Sequence, residues 1–171
     1  MTAASPRPTA TAPYVAVIGP DPATDQEANM AEEVGRRLAE AGAVVVCGGH
    51  GGVMEAACRG ATAAGGLTVG ILPGSDRAAA NRFLTFAIPT GMGELRNGLV
   101  VRAADALIAV GGAYGTLSEI ALGLKIGRPV IGLGTWELAR AGAPDSGIML
   151  ADSPQQAVGA ALARDQGSSQ P

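Results

Sequence analysis

The chain has 171 residues, a formal charge of −3 and only 3% aromatic side chains. That length suits one domain that buries about two thirds of its unfolded surface in a single core, with no need of a metal or a disulfide. The acidic balance, the single lysine (Lys125) and the scarcity of rings leave neither a basic stripe nor a stacking platform, so no nucleic-acid partner is expected.

In chain order, residues 1–12 are rich in Ala, Thr and Pro and lack the basic and apolar regions of a signal peptide or membrane anchor. They read as a disordered tail, and no membrane partner is expected. Strands are predicted near 14–18, 43–47, 67–71, 83–88, 105–110, 129–133 and 147–150. Helices are predicted near 24–41, 52–64, 93–103, 116–126, 135–140 and 154–164. The connection 71–83, with Pro73, Gly74, Ser75 and Asp76, reads as a surface loop or one short turn. Residues 165–171 read as a second tail, leaving 13–164 as a single domain.

The apolar runs are unbroken, as in Tyr14-Val15-Ala16-Val17-Ile18, which marks strands covered on both faces. Strands alternating with helices predict an α/β fold, a three-layer, doubly wound, Rossmann-like domain with a mostly parallel sheet of about seven strands. Cys47, Cys58 and the lone His50 cannot build a usual zinc site, and two isolated thiols suit a reducing, cytoplasmic setting. No metal or organic cofactor is expected.

Ligands of such folds bind beyond the carboxyl ends of the strands. Two glycine-rich loops fall there, Gly48-Gly49-His50-Gly51-Gly52 and Gly111-Gly112-Ala113-Tyr114-Gly115-Thr116. Glycines let the backbone approach an anion, and the free N–H groups of the following helix point at it. A phosphorylated small molecule is the expected partner. The dinucleotide fingerprint and the Walker motif are both absent, which argues against NAD chemistry and a P-loop ATPase.

Thr116-Leu117-Ser118-Glu119 also fits a capping box, and so do Thr24-Asp25-Gln26-Glu27 and Ser153-Pro154-Gln155-Gln156 at other predicted helix starts. Only the first follows a glycine turn. Arg96 stands in the opening turn of its predicted helix, where a cation opposes the dipole and calls for an anionic partner. Asp21, His50, Glu94, Asn97 and Tyr114 read on their own as surface residues, and Trp136 as packing.

Gly111-Gly112-Ala113-Tyr114-Gly115-Thr116-Leu117-Ser118-Glu119 resembles the Pro-Gly-Gly-x-Gly-Thr-x-x-Glu signature of the LONELY GUY family, the cytokinin-activating nucleoside 5′-monophosphate phosphoribohydrolases. Gly91-Met92-Gly93-Glu94-Leu95-Arg96-Asn97 is similar to that family's Met-x-x-Arg-Lys segment, and Gly48-Gly49-His50-Gly51-Gly52-Val53-Met54-Glu55 to its Gly-Gly-x-x-Gly-Leu-Met-Gly loop. The likeness runs over about 14–135. Val110, Asn97 and Glu55 depart from the pattern, and these departures are more like a sister branch that includes the molybdenum cofactor carrier proteins.

The resemblance implies Arg96 and Glu119 as a catalytic pair. It places Gly111, Gly112, Gly115 and Thr116 at the phosphate, with Gly48, Gly49, Gly51, Met92 and Asn97 completing the site. It implies hydrolysis of a purine or cytokinin nucleoside 5′-monophosphate to free base and ribose 5-phosphate. The alternative is a non-catalytic carrier or sensor holding a nucleotide or the molybdenum cofactor in the same cleft. A homodimer is implied as well, with Ala56-Ala57, Gly60-Ala61, Leu99-Val100 and Ala103-Ala104 compatible with close helix contact. The superfamily's older label of lysine decarboxylase does not fit. A Schiff-base lysine is needed, and Lys125 lies about 13 Å along the helix from Thr116.

Overall fold

The structure is a computed structural model that describes residues 12–163. The predicted tails lie outside the described residues, apart from residue 12. Seven strands form one sheet: β1 (Tyr14–Ile18), β2 (Val44–Cys47), β3 (Thr68–Leu72), β4 (Phe86–Pro89), β5 (Ala106–Val110), β6 (Val130–Leu133) and β9 (Ile148–Leu150). Their order is β4-β3-β2-β1-β5-β6-β9, and every neighbouring pair is parallel.

The order reverses at β1. Chain from β1 to β4 winds one way, and chain from β5 onward winds the other. With right-handed crossovers, that reversal puts the helices on opposite faces. Accordingly α1 (Asp25–Glu40) and α2 (Gly52–Ala63), joined by the terminal α5 (Pro154–Leu162), cover one face, where Val34, Leu38, Val53 and Val158 meet Val15 and Val17. The other face carries α3 (Asn97–Arg102) and α4 (Tyr114–Lys125), where Val100, Val101 and Ile120 meet Ala16 and Ile18. Successive β1 side chains thus feed alternate cores, as a pleat with both faces covered requires.

The small-residue face of α2 is used inside the chain. A Cβ on Gly60 would collide with the Glu32 carbonyl, and one on Gly35 with the Ala57 carbonyl, so α1 and α2 touch backbone to backbone. Ala56, Ala57 and Ala61 are buried there, which removes that face from any contact with a partner.

Three predicted helices need correction. The one near 135–140 does not form; instead β7 (Leu138–Arg140) and β8 (Ala143–Asp145) make an antiparallel hairpin. Its turn, Ala141-Gly142, has φ of 52° and 84°, the pair of positive values a tight two-residue hairpin needs. Alanine at the first of these positions gives no turn signal, so the run read as helical. The helix near 93–103 begins as a 3-10 turn, Gly93–Arg96, and becomes α only at Asn97. Finally, α4 starts at Tyr114, two residues before the predicted 116. The 71–83 loop does hold one short 3-10 turn, Arg77–Ala79, opened by the Asp76 carboxylate accepting from the Ala78 N–H.

Candidate functional site

The reversal of strand order leaves a crevice between the carboxyl ends of β1 and β5, and the second glycine loop, after β2, borders it. Of the helices that start at the carboxyl ends of the strands, α2 after Gly51 and α4 after Ala113 have no side-chain cap. The starts of α1 and α5 are capped by the side chains of Thr24 and Ser153. The first N–H groups of α4, on Tyr114, Gly115 and Thr116, have no partner within the helix and face the mouth of the crevice. Nothing lies within 4 Å of where a Gly115 Cβ would be, so this stretch of backbone is open to a ligand.

Because α4 begins early, Thr116 and Glu119 are not a capping box. Both side chains are buried instead. The Thr116 hydroxyl has no hydrogen-bond partner, and neither does Nε of the buried Arg96. Burying such groups unpaired costs about 1–3 kcal/mol each.

Arg96 ends the 3-10 turn and lies across Gly48, where a Cβ would come 2.6 Å from a terminal guanidinium nitrogen. Its Nη1 donates to Asn97 Oδ1 at 2.6 Å and stands 3.8 Å from Glu119 Oε1. Asn97 Nδ2 donates to Ser118 Oγ at 3.0 Å, and Ser118 Oγ donates to the Gly115 carbonyl at 2.7 Å. A continuous polar chain therefore ties the guanidinium to the glycine turn. Burial pushes the Glu119 carboxyl up to about 7, outweighing the attraction of Arg96, and Glu94 adds to the rise. At neutral pH Glu119 is poised between its two protonation states.

The other expected residues divide. Gly112 lies against Trp136, whose indole nitrogen would be 2.7 Å from a Gly112 Cβ, and Thr135 Oγ1, a third buried and unpartnered atom, lies beside it. Gly111 donates its N–H to the Leu133 carbonyl at 3.1 Å, and its Cα lies against the Glu27 carboxylate, so it shapes the turn without offering a free donor. In the loop after β2, Gly49 donates to Cys47 Sγ at 3.3 Å and Gly51 donates to Asp21 Oδ2 at 3.1 Å. These two N–H groups are committed within the protein. Met92 is exposed, with its N–H on the Thr90 hydroxyl at 3.3 Å, and makes no polar contact with the Arg96 cluster. Asn97 is buried, contrary to its reading as a surface residue.

Sequence reasoning missed Ser118, Thr135 and Cys47. Ser118 was legible in principle, since it falls three residues after Gly115 on one helix face. Cys47 Sγ lies 3.6 Å from Cys58 Sγ, and both are free thiols. Among the described residues no three His, Cys, Asp or Glu side chains converge to hold a metal, and no helix is long and apolar enough to cross a membrane.

Compared with known proteins, the chain is 46% identical over 119 residues to an uncharacterised protein of Archaeoglobus fulgidus, spanning 70% of this chain and 78% of that one. Among solved structures it is similar to the molybdenum cofactor binding protein of Rippkaea orientalis, at 34% identity and a TM-score of 0.80, covering 88% of this chain and 96% of the other. It is also similar to the molybdenum cofactor carrier protein of Chlamydomonas reinhardtii, at 32% identity and a TM-score of 0.77, covering 87% and 95%. A family model matches residues 12–158, nearly all of the described chain, and on that match this protein belongs to the SLOG cluster4 family.

Proposed function

We propose that this protein is a carrier that holds a phosphorylated small molecule at the start of α4, with the molybdenum cofactor as its cargo. The observation that carries this reading is the uncapped helix start with the Thr116 hydroxyl and Arg96 Nε buried beside it, each lacking a partner. Helix N–H groups, a hydroxyl and a guanidinium are the donors a phosphate monoester takes. The likeness to a molybdenum cofactor binding protein and a carrier protein supports the choice of cargo. On this reading 13–164 is one binding domain, working in the cytoplasm with both thiols reduced.

The hydrolytic reading has one observation in its favour, the buried Arg96–Glu119 pair. A carboxyl near pKa 7 beside a ribose can orient water as base or protonate a departing group as acid. Against turnover stands Asn97, which fills the position of the signature's lysine and uses its amide to tie Arg96 to Ser118, so a second cation is missing. Incubation with AMP and with cytokinin riboside monophosphates, followed by chromatography of free base, separates the two readings. Saturable binding of the molybdenum cofactor and of AMP, with no base released, is the expected result. Multiple turnovers to free base and ribose 5-phosphate would overturn the carrier.

A homodimer belongs to the same proposal. Leu95, Leu99 and Ala103 are exposed on the face that holds α3, while Val100 and Ala104 turn inward to the sheet. Sedimentation of the purified protein is expected to give twice the chain mass.

A further inference from the structure

Of the five aromatic rings in the chain, two meet at the lip of the glycine turn. Trp136 is fixed there: its indole N–H donates to the Ala113 carbonyl at 3.2 Å, and Gly112 leaves the space its ring needs. Tyr114, the first residue of α4, has its ring centroid 5.8 Å from that of Trp136 with the planes inclined by 37°. Trp136 is partly covered, but Tyr114 is 82% exposed, more than any other large apolar side chain described. A ring held out in water beside an anchored partner, one residue from the open Gly115, has apolar area with nothing laid on it.

The space next to it is the right size for a ring. Tyr114 lines a groove of ≈ 540 Å³ together with Glu94, Leu95, Asn97, Gly115, Ser118 and Leu122. Small-molecule sites fall within about 300–1,000 Å³ and combine apolar walls with a few polar groups. The groove's polar members are the Glu94 carboxylate, and Asn97 and Ser118, which link Arg96 to the glycine turn, so a ligand whose phosphate sat at the start of α4 would reach this groove with its other end.

We propose that Tyr114 is the specificity residue of the site, a platform on which a planar heteroaromatic ring of the phosphorylated ligand stacks, such as a purine or the pyrimidinone of a pterin. This rests on the phosphate reading of the α4 start and adds to it the class of group at the ligand's other end. A single stack of this kind suits one small molecule and does not make the repeated platform a nucleic acid requires.

Trp136 is the only tryptophan, so its fluorescence reports the site without a label. Binding of AMP, which carries phosphate and ring, is compared with that of ribose 5-phosphate, which lacks the ring. The wild-type protein is expected to bind AMP about tenfold more tightly, the lower range of one base–aromatic stack. Tyr114→Ala removes that advantage and leaves ribose 5-phosphate within twofold, while Tyr114→Phe keeps it; the exposure of Tyr114 lets both variants fold. Equal loss for both ligands, no loss for AMP, or a loss that tracks a change in sedimenting mass overturns the stacking role. Wild-type affinity for ribose 5-phosphate equal to that for AMP overturns it while the phosphate reading stands. Binding of neither ligand overturns both.

Discussion

Thr24 and Glu27 close the first turn of α1 on themselves, whereas Thr116 and Glu119, with the same spacing, enter α4 two residues late and keep their polar atoms for another purpose. In α1 the Thr24 hydroxyl accepts from the Glu27 N–H at 3.2 Å, and the Glu27 carboxylate accepts from the Thr24 N–H at 2.8 Å. In α4 the cap position falls to Ala113, which has no side chain to offer, and the threonine and glutamate turn inward beside Arg96. The same four-residue pattern thus serves as a cap at one helix and is buried beside Arg96, uncapped, at the other. What separates them is where the preceding strand ends and how many residues the turn contains.

The largest expected effect that tests this contrast lies in pH. A carboxyl whose folded pKa is raised keeps its proton longer in the folded state, so its contribution is full below the unfolded value near 4.5 and is lost as pH rises to about 7. Urea unfolding at pH 5 and pH 8 should therefore show the wild type losing on the order of 3 kcal/mol relative to Glu119→Gln across that window. A parallel pH dependence in both proteins would place Glu119 in water.

Restoring a cap to α4 sharpens the contrast next. Ala113→Asp should raise stability by about 1 kcal/mol while weakening AMP on the order of 100-fold, because a carboxylate takes the N–H groups and repels the phosphate. Calorimetric titration with unchanged AMP affinity would show that the helix start is not the anion site. Thr116→Val removes the orphan hydroxyl at nearly constant shape, so stability should hold or rise slightly while AMP weakens about tenfold. Smallest is Thr24→Ala, expected to cost about 1 kcal/mol by denaturation with AMP affinity within twofold, since its hydroxyl works only within α1.

Fold and site were legible to different depths. Apolar runs located all seven strands of the main sheet: β1, β2, β5 and β6 are buried on both faces, and the edge strands β4 and β9 keep apolar runs although at least half of their side chains are exposed. Arg96 and Glu119, far apart in sequence, were brought together by motif resemblance and then by geometry at 3.8 Å. The β7–β8 hairpin escaped because its turn is Ala-Gly, and local preference there is overridden by pairing of Leu138 with Asp145 and Arg140 with Ala143. The start of α4 was placed two residues late because Thr116 looks like a cap and Ala113 does not. Unpartnered atoms cannot be read from sequence at all: Thr116, Thr135 and Arg96 become informative only when their surroundings are seen to offer no acceptor or donor.

The contact between Glu27 and Gly111 joins two tasks that occur far apart along the chain. One carboxylate both secures the opening of α1 and props the glycine bend before α4, so the bend inherits its shape from a helix on the opposite layer. Loading should then be felt as slower amide hydrogen exchange at the head of α1, even though no atom of that helix need touch what is carried.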